Sequence, residues 1–212
     1  MSHTPLPASL KSVFGYNSFR PYQQEIITHI LEKRDVLAIL PTGSGKSLCY
    51  QLPAVIMPGT AVVISPLISL MKDQVDSLNK LGIKAAFVNS SLDYYETQNI
   101  LQTIHEYDLL YVAPERFSNQ YFSNTLKRAN ISFFVIDEAH CISQWGHSFR
   151  PEYRQLSILK TDFAGKPVTA FTATATGEVV ADIAVQLKMK DHKLITGSFD
   201  RPNLTIRINE KI

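Results

Sequence analysis

The stretch Val36-Leu37-Ala38-Ile39-Leu40-Pro41-Thr42-Gly43-Ser44-Gly45-Lys46-Ser47 decides the fold. A short apolar run ends in a glycine-rich turn, and an apolar helical stretch follows from Leu48,. A strand that feeds such a turn into a helix brings backbone N–H groups around phosphate oxygens. Glycine is needed there because a side chain would block the approach, and the following helix aims its positive end at the same charge. Thr42, Gly43, Ser44 and Gly45 would line this cradle, Lys46 would neutralise the β- and γ-phosphates of ATP, and the Ser47 hydroxyl would ligate Mg²⁺. The strict pattern begins on glycine, whereas position 40 is Leu40. A turn that merely caps a helix is the bland alternative, and the Lys-Ser pair between strand and helix weighs against it.

Outward from this loop, short apolar or β-branched runs recur at 35–40, 61–65, 84–88, 109–112, 133–136, 168–171 and 193–196. Most are continuous rather than alternating, which suits strands covered on both faces. Helix-like segments at 21–32, 67–81 and 177–187 lie between them. This alternation predicts an α/β domain whose mainly parallel β-sheet is flanked by helices on both faces. Ligands of such sheets collect at the carboxyl ends of the strands, where the short polar motifs of this chain fall.

The run 133–136 delivers Asp137-Glu138-Ala139-His140. Adjacent carboxylates at a strand end can divide the labour of hydrolysis, Asp137 holding the Mg²⁺ shell and Glu138 orienting and deprotonating the attacking water. Two neighbouring acids in a loop usually face solvent, but here they accompany the phosphate cradle. His140 reads either as a satisfied structural histidine or as a coupling residue beside the catalytic set Lys46, Asp137 and Glu138.

Composition narrows the class. Hydrophobic residues make up 45% and charged residues 19%, a globular rather than a disordered balance,. Lys+Arg number 21 against 19 Asp+Glu, a net charge of only +2, so nucleic-acid contact must rest on a local surface,. The two cysteines, Cys49 and Cys141, match no metal spacing and suit a reducing compartment,. The longest apolar stretch is broken by Ser65, Pro66 and Ser69, which leaves no expected membrane segment,.

Five segments carry a resemblance: Phe19-Arg20-Pro21-Tyr22-Gln23, Ser65-Pro66-Leu67-Ile68-Ser69-Leu70-Met71-Lys72-Asp73-Gln74, Tyr111-Val112-Ala113-Pro114-Glu115-Arg116, the run DEAHCISQWGHSFRPEY from Asp137 to Tyr153, and Phe171-Thr172-Ala173-Thr174-Ala175. Together with the phosphate loop they resemble the RecQ family of superfamily-two DNA helicases. The resemblance implies a RecA-like P-loop NTPase domain that binds ATP and Mg²⁺ within a motor moving 3′ to 5′ on DNA. It implies that Tyr16 and Arg20 sandwich adenine while Gln23 reads its edge, a task that an amide able to donate and accept can perform. It places Ser65 against the DNA backbone and makes Thr172 and Thr174 the link between nucleotide state and domain movement. Trp145, His147, Phe149 and Arg150 fall in the aromatic-rich loop of that family. Aromatic faces stack on unpaired bases without choosing sequence, and Arg150 can add a phosphate contact.

Motors of this kind resemble two RecA-like domains with ATP between them. The expected organisation is a nucleotide-binding domain over residues 1–198 and, at 199–212, the start of a connection to a second RecA-like domain that supplies the arginine finger. The expected partners are therefore that domain and DNA, as single strands and duplex junctions, with no membrane. The expected compartment is the cytoplasm (nucleoid) of a bacterium or the nucleus of a eukaryote. A nucleotide-dependent DNA-binding module without unwinding activity remains the alternative.

Overall fold

The structure, a computed structural model, describes residues 5–146 and 148–198. His147 and the expected connection at 199–212 lie outside the described residues. All seven expected strands form: β1 (Val36–Ile39), β2 (Thr60–Ile64), β3 (Ala85–Val88), β4 (Leu109–Val112), β5 (Ile131–Ile136), β6 (Val168–Thr172) and β7 (Lys193–Thr196). They make one sheet in the order β3-β4-β2-β5-β6-β1-β7, and every pairing in it is parallel.

Between them run α1 (Leu6–Phe14), α2 (Gln23–Leu31), α3 (Lys46–Ile56), α4 (Ile68–Lys80), α5 (Tyr94–Gln102), α6 (Gln120–Arg128), α7 (Ile158–Asp162) and α8 (Gly177–Gln186). Local chemistry sets several boundaries. Pro5 and the following turn start α1, and Gly15 at φ 75° ends it with its N–H on the Lys11 carbonyl,. Asp93 and Glu96 close a reciprocal capping box on α5, with bonds of 2.8 and 2.9 Å,. Asn119 caps α6, and Thr176 caps α8 through the Val179 N–H,.

Alternate residues of each strand face opposite cores, and both faces are covered, so β1, β2, β4, β5 and β6 are buried along their whole length,. On one face Leu37, Val62, Leu110, Phe134 and Ala170 meet Leu101 of α5, Phe122 and Leu126 of α6, Leu159 of α7 and Ile183 of α8. On the other, Ala38, Val63, Tyr111, Val135 and Phe171 meet Ile26 and Ile30 of α2, Tyr50 and Ala54 of α3, and Met71 and Val75 of α4. Helix α1 adds an outer layer through Leu10 against Ile27 and Leu52. The edge strand β7 buries only Ile195 of its four residues.

The amino ends of the central strands are tied by one ion pair. Lys160 Nζ lies 2.7 Å from Asp35 Oδ2, and Asp35 Oδ1 accepts the Val168 N–H at 2.8 Å. This joins the approach to β1 with the approach to β6. Asp35→Ala leaves a part-buried ammonium and a strand-end N–H without their acceptor, and is expected to cost about 3 kcal/mol, measured as a lower urea midpoint. Among the described residues no helix is long and apolar enough to cross a membrane.

Candidate functional site

The motif loops that follow β1, β2, β4, β5 and β6 leave the sheet at its carboxyl edge, whereas the segment 19–23 precedes α2. The strand order puts β6 between β1 and β5, so Thr172 separates the phosphate loop from the acids. Main-chain bonds lock these ends together: the Leu40 N–H donates to the Thr172 carbonyl at 3.0 Å, and the Asp137 N–H to that of Ile64 at 2.8 Å.

The phosphate loop turns on Gly43 and Gly45, both at φ 82°, a region that only glycine enters freely,. Gly45 has a second reason to be glycine. A Cβ there would come 2.5 Å from Gln23 Nε2, which donates to the Gly45 carbonyl at 3.0 Å. Arg20 grips the same loop, with Nη1 2.7 Å from the Gly43 carbonyl. Lys46 Nζ rests 3.2 Å from the Leu40 carbonyl, at the mouth of the cradle. The Ser44 hydroxyl is buried without a partner, a polar atom turned into the loop that a phosphate oxygen would satisfy,. Leu40 itself belongs to the core beside β1, so its apolar side chain serves packing where the strict motif has glycine.

Gln23 is only 2% exposed, and its amide is engaged at both ends, Oε1 accepting the Arg20 N–H at 2.8 Å. It thereby holds the segment of Arg20 against the glycine-rich loop. Tyr16, 57% exposed, shares a cavity of about 360 Å³ with Arg20, Gln23, Gly45, Ser47 and Gln74. Thr42 is exposed at the loop's tip.

At the end of β5, burial and the neighbouring Glu138 raise the Asp137 carboxyl above the usual carboxylate range. The Glu138 N–H, Lys46 and the Ser65 hydroxyl partly offset this,. A carboxylate so under-compensated suits a divalent cation, and Ser47 and Asp137 fit the donor set for Mg²⁺ in chemistry. Glu138 occupies the left-handed region at φ 50°, rare for a residue with a Cβ,. That backbone turns its carboxylate back toward His140, with Oε2 3.3 Å from Nδ1. His140 Nδ1 is also 3.1 Å from the Thr172 hydroxyl, which donates to the Thr174 carbonyl at 3.0 Å. Acid, histidine and both threonines thus form one polar chain across two strand ends.

Ser65 is 5% exposed and its hydroxyl faces Asp137, so the exposed surface of this segment passes to Ile68, Ser69 and Leu70. The aromatic loop divides likewise. Trp145 is 76% exposed, whereas the Phe149 ring is covered by the Arg154 guanidinium at 5.1 Å,. Arg150 is exposed and its N–H holds the Cys141 carbonyl at 2.9 Å.

Two anchoring contacts were given no role by the sequence, although Ser143 and Tyr153 lie within the quoted run. Buried Ser143 donates to Asp182 Oδ2 of α8 at 2.6 Å and accepts the Trp145 N–H at 3.2 Å, fixing the root of the aromatic loop. The available signal for Asp182 was an acid in mid-helix, between the apolar residues Ala181 and Ile183. Tyr153, fully buried, donates to the Asp137 carbonyl at 3.1 Å. Both cysteines are buried free thiols. Burial pushes Cys49 up to about 12 and Cys141 above its usual range, which favours the protonated thiol in both,.

Comparison with known proteins agrees with this geometry. The family model described as DEAD/DEAH box helicase matches residues 20–183. The chain is 50% identical, over 95% of its length, to the ATP-dependent DNA helicase RecQ of Haemophilus influenzae, of which it covers 33%. It is 47% identical to the probable ATP-dependent DNA helicase RecS of Bacillus subtilis, over 97% of this chain and 42% of that protein. The chain thus spans between a third and a half of these relatives. Among solved structures, the helicase MrfA bound to DNA superposes with a TM-score of 0.71 at 20% identity, over 91% of this chain and 29% of that one. A hypothetical ATP-dependent RNA helicase from Sulfolobus tokodaii gives 0.69 at 18%, over 91% and 56%. At such identities these two structures speak for the RecA-like fold alone.

Proposed function

Because the chain belongs to the DEAD/DEAH box helicase family, we propose that it is the ATP-hydrolysing first motor domain of a RecQ-type 3′-to-5′ DNA helicase. The observation that carries this reading is the polar chain from Glu138 through His140 and Thr172 to Thr174. It connects a hydrolytic acid to the root of α8, and α8 in turn holds the aromatic loop through Asp182. Loading of Trp145 by an unpaired base can therefore reach Glu138 through Ser143, Asp182, α8 and the hydrogen bonds of Thr172 and His140.

In this reading Gly43, Ser44 and Gly45 wrap the phosphates and Lys46 leaves the Leu40 carbonyl for the β/γ oxygens. Tyr16 and Arg20 would take the adenine ring between them, with Gln23 at its edge. Ser47 and Asp137 would hold Mg²⁺, which when bound neutralises phosphate charge. Glu138 accepts the proton of the attacking water, and His140 steadies its carboxylate. Ile68, Ser69, Trp145 and Arg150 face the DNA.

A second RecA-like domain of the same protein is the proposed source of the arginine that completes the site. The proposed compartment is the one where the DNA lies, nucleoid or nucleus.

The test is binding of fluorescent ATP to this chain, with phosphate release followed in the presence and absence of single-stranded oligonucleotide. Saturable, Mg²⁺-dependent binding with slow release is expected. Absence of nucleotide binding would sink the reading, and fast DNA-stimulated release would remove the need for a second domain.

A further inference from the structure

At the amino ends of the strands, opposite the nucleotide site, lies a cavity of about 560 Å³ where Lys33, Arg34, Lys166, Lys188 and Lys190 outnumber the one further acid, Asp191, above the Asp35–Lys160 ion pair. Among the described residues, none of these five cations takes part in an ion pair. In a chain whose net charge is only +2, this concentrates positive potential in one concave place,.

The backbone shows that two of these lysines are held at a conformational cost. Lys33 and Lys188 sit at φ 60° and 54°, each just past the C-terminus of a helix. Both helices end in the same motif. The Lys33 N–H meets the Ile30 carbonyl and the Arg34 N–H that of His29, both at 2.9 Å. After α8, the Lys188 N–H meets Val185 at 3.0 Å and the Met189 N–H meets Ala184 at 2.9 Å. This left-handed position normally belongs to glycine. The chain uses glycine for the same motif after α4, where Gly82 at φ 80° bonds Asn79 and Ile83 bonds Leu78. Attraction to a helix C-terminus accounts for a basic residue nearby, but not for lysine at the one strained position twice. Gly165, at φ 80°, turns the third segment and presents Lys166 beside them.

We infer that this cavity is a second nucleic-acid site, a contact for the phosphate backbone of duplex DNA away from the motor edge. Ammonium groups on stiff turns are point charges suited to phosphates. The lining has no aromatic residue on which an unpaired base would stack,. It also has no exposed apolar anchor of the kind a docked peptide needs,. The site extends the DNA-binding half of the proposed function and is independent of ATP hydrolysis.

The test is the double substitution Lys33→Gly with Lys188→Gly, made in the full 212-residue chain. Glycine suits both backbones, so the melting temperature stays equal or rises. Binding of a labelled blunt duplex is followed by anisotropy from 50 to 200 mM salt. Losing two phosphate contacts reduces the salt slope by about 1.8, so the wild-type advantage shrinks about tenfold across that range. Binding of a single strand, read from quenching of Trp145, the one tryptophan of the chain, stays unchanged. An equal salt slope, no duplex binding by the wild type, or an equal loss for single strand and duplex overturns the site. Wild-type affinity for an oligoglutamate peptide at or above that for duplex overturns it in favour of an acidic protein segment. Failure of the single strand to quench Trp145 in the wild type counts instead against the proposed function at the motor edge.

Discussion

Glu138→Gln is expected to slow ATP hydrolysis by about 10²–10⁴-fold while nucleotide affinity stays within about threefold, the pattern of a lost general base. The substitution keeps the shape of the side chain and removes only its ability to take a proton. It keeps the backbone cost as well, because glutamine enters the left-handed region at φ 50° no more easily than glutamate does,. The amide can still meet His140 Nδ1, which lies 3.3 Å from the carboxylate, so the polar chain to Thr172 persists. Single-turnover phosphate release at saturating Mg²⁺-ATP, beside a separate binding titration, separates the two quantities. Hydrolysis within tenfold of wild type would remove Glu138 from the mechanism. Joint loss of binding and hydrolysis would make it a structural residue of the acid turn.

Trp145→Ala is expected to weaken single-strand binding by about 5- to 150-fold, the ~1–3 kcal/mol of one lost base–aromatic stack. With 76% of its surface in water, Trp145 contributes little packing, and the melting temperature should hardly move,. Its N–H, held by the Ser143 hydroxyl, belongs to the backbone and survives the substitution. The loop therefore keeps its root on Asp182 and loses only its stacking face. In the complete two-domain enzyme, stimulation of hydrolysis by DNA should fall with binding, while the basal rate stays. The measurement is anisotropy of a labelled oligonucleotide together with phosphate release at increasing DNA concentration. Undiminished binding would place the unpaired bases on Ile68 and Ser69 or elsewhere on the carboxyl edge.

Some of the fold was legible because its physics is local. A strand covered on both faces must be apolar throughout, and β1, β2, β4, β5 and β6 were legible on that ground, whereas the edge strand β7 is mostly exposed. Helices α5 and α6 were harder to read. They carry mostly polar faces and meet the core through few residues, Leu101 in one and Phe122 and Leu126 in the other. Their capping residues, Asp93 with Glu96 and Asn119, were the surviving signals. At the site, type and order of residues were legible, but their engagements were not. Ser65 reads as a surface hydroxyl and lies buried on Asp137, and Phe149 reads as a stacking face and is covered by Arg154.

The sequence by itself determined the phosphate loop, the acid pair and the α/β alternation, since each depends on neighbours within a few residues. Only the tertiary structure decided how these parts touch. Parallel strands are paired across the sheet in an order unlike their order in the chain, and that order set β6 between β1 and β5. Thr172 thereby reached His140, Asp182 reached Ser143, and lysines from three distant turns came to share one cavity. Such contacts are set by the geometry of the whole sheet, which no short stretch of sequence contains.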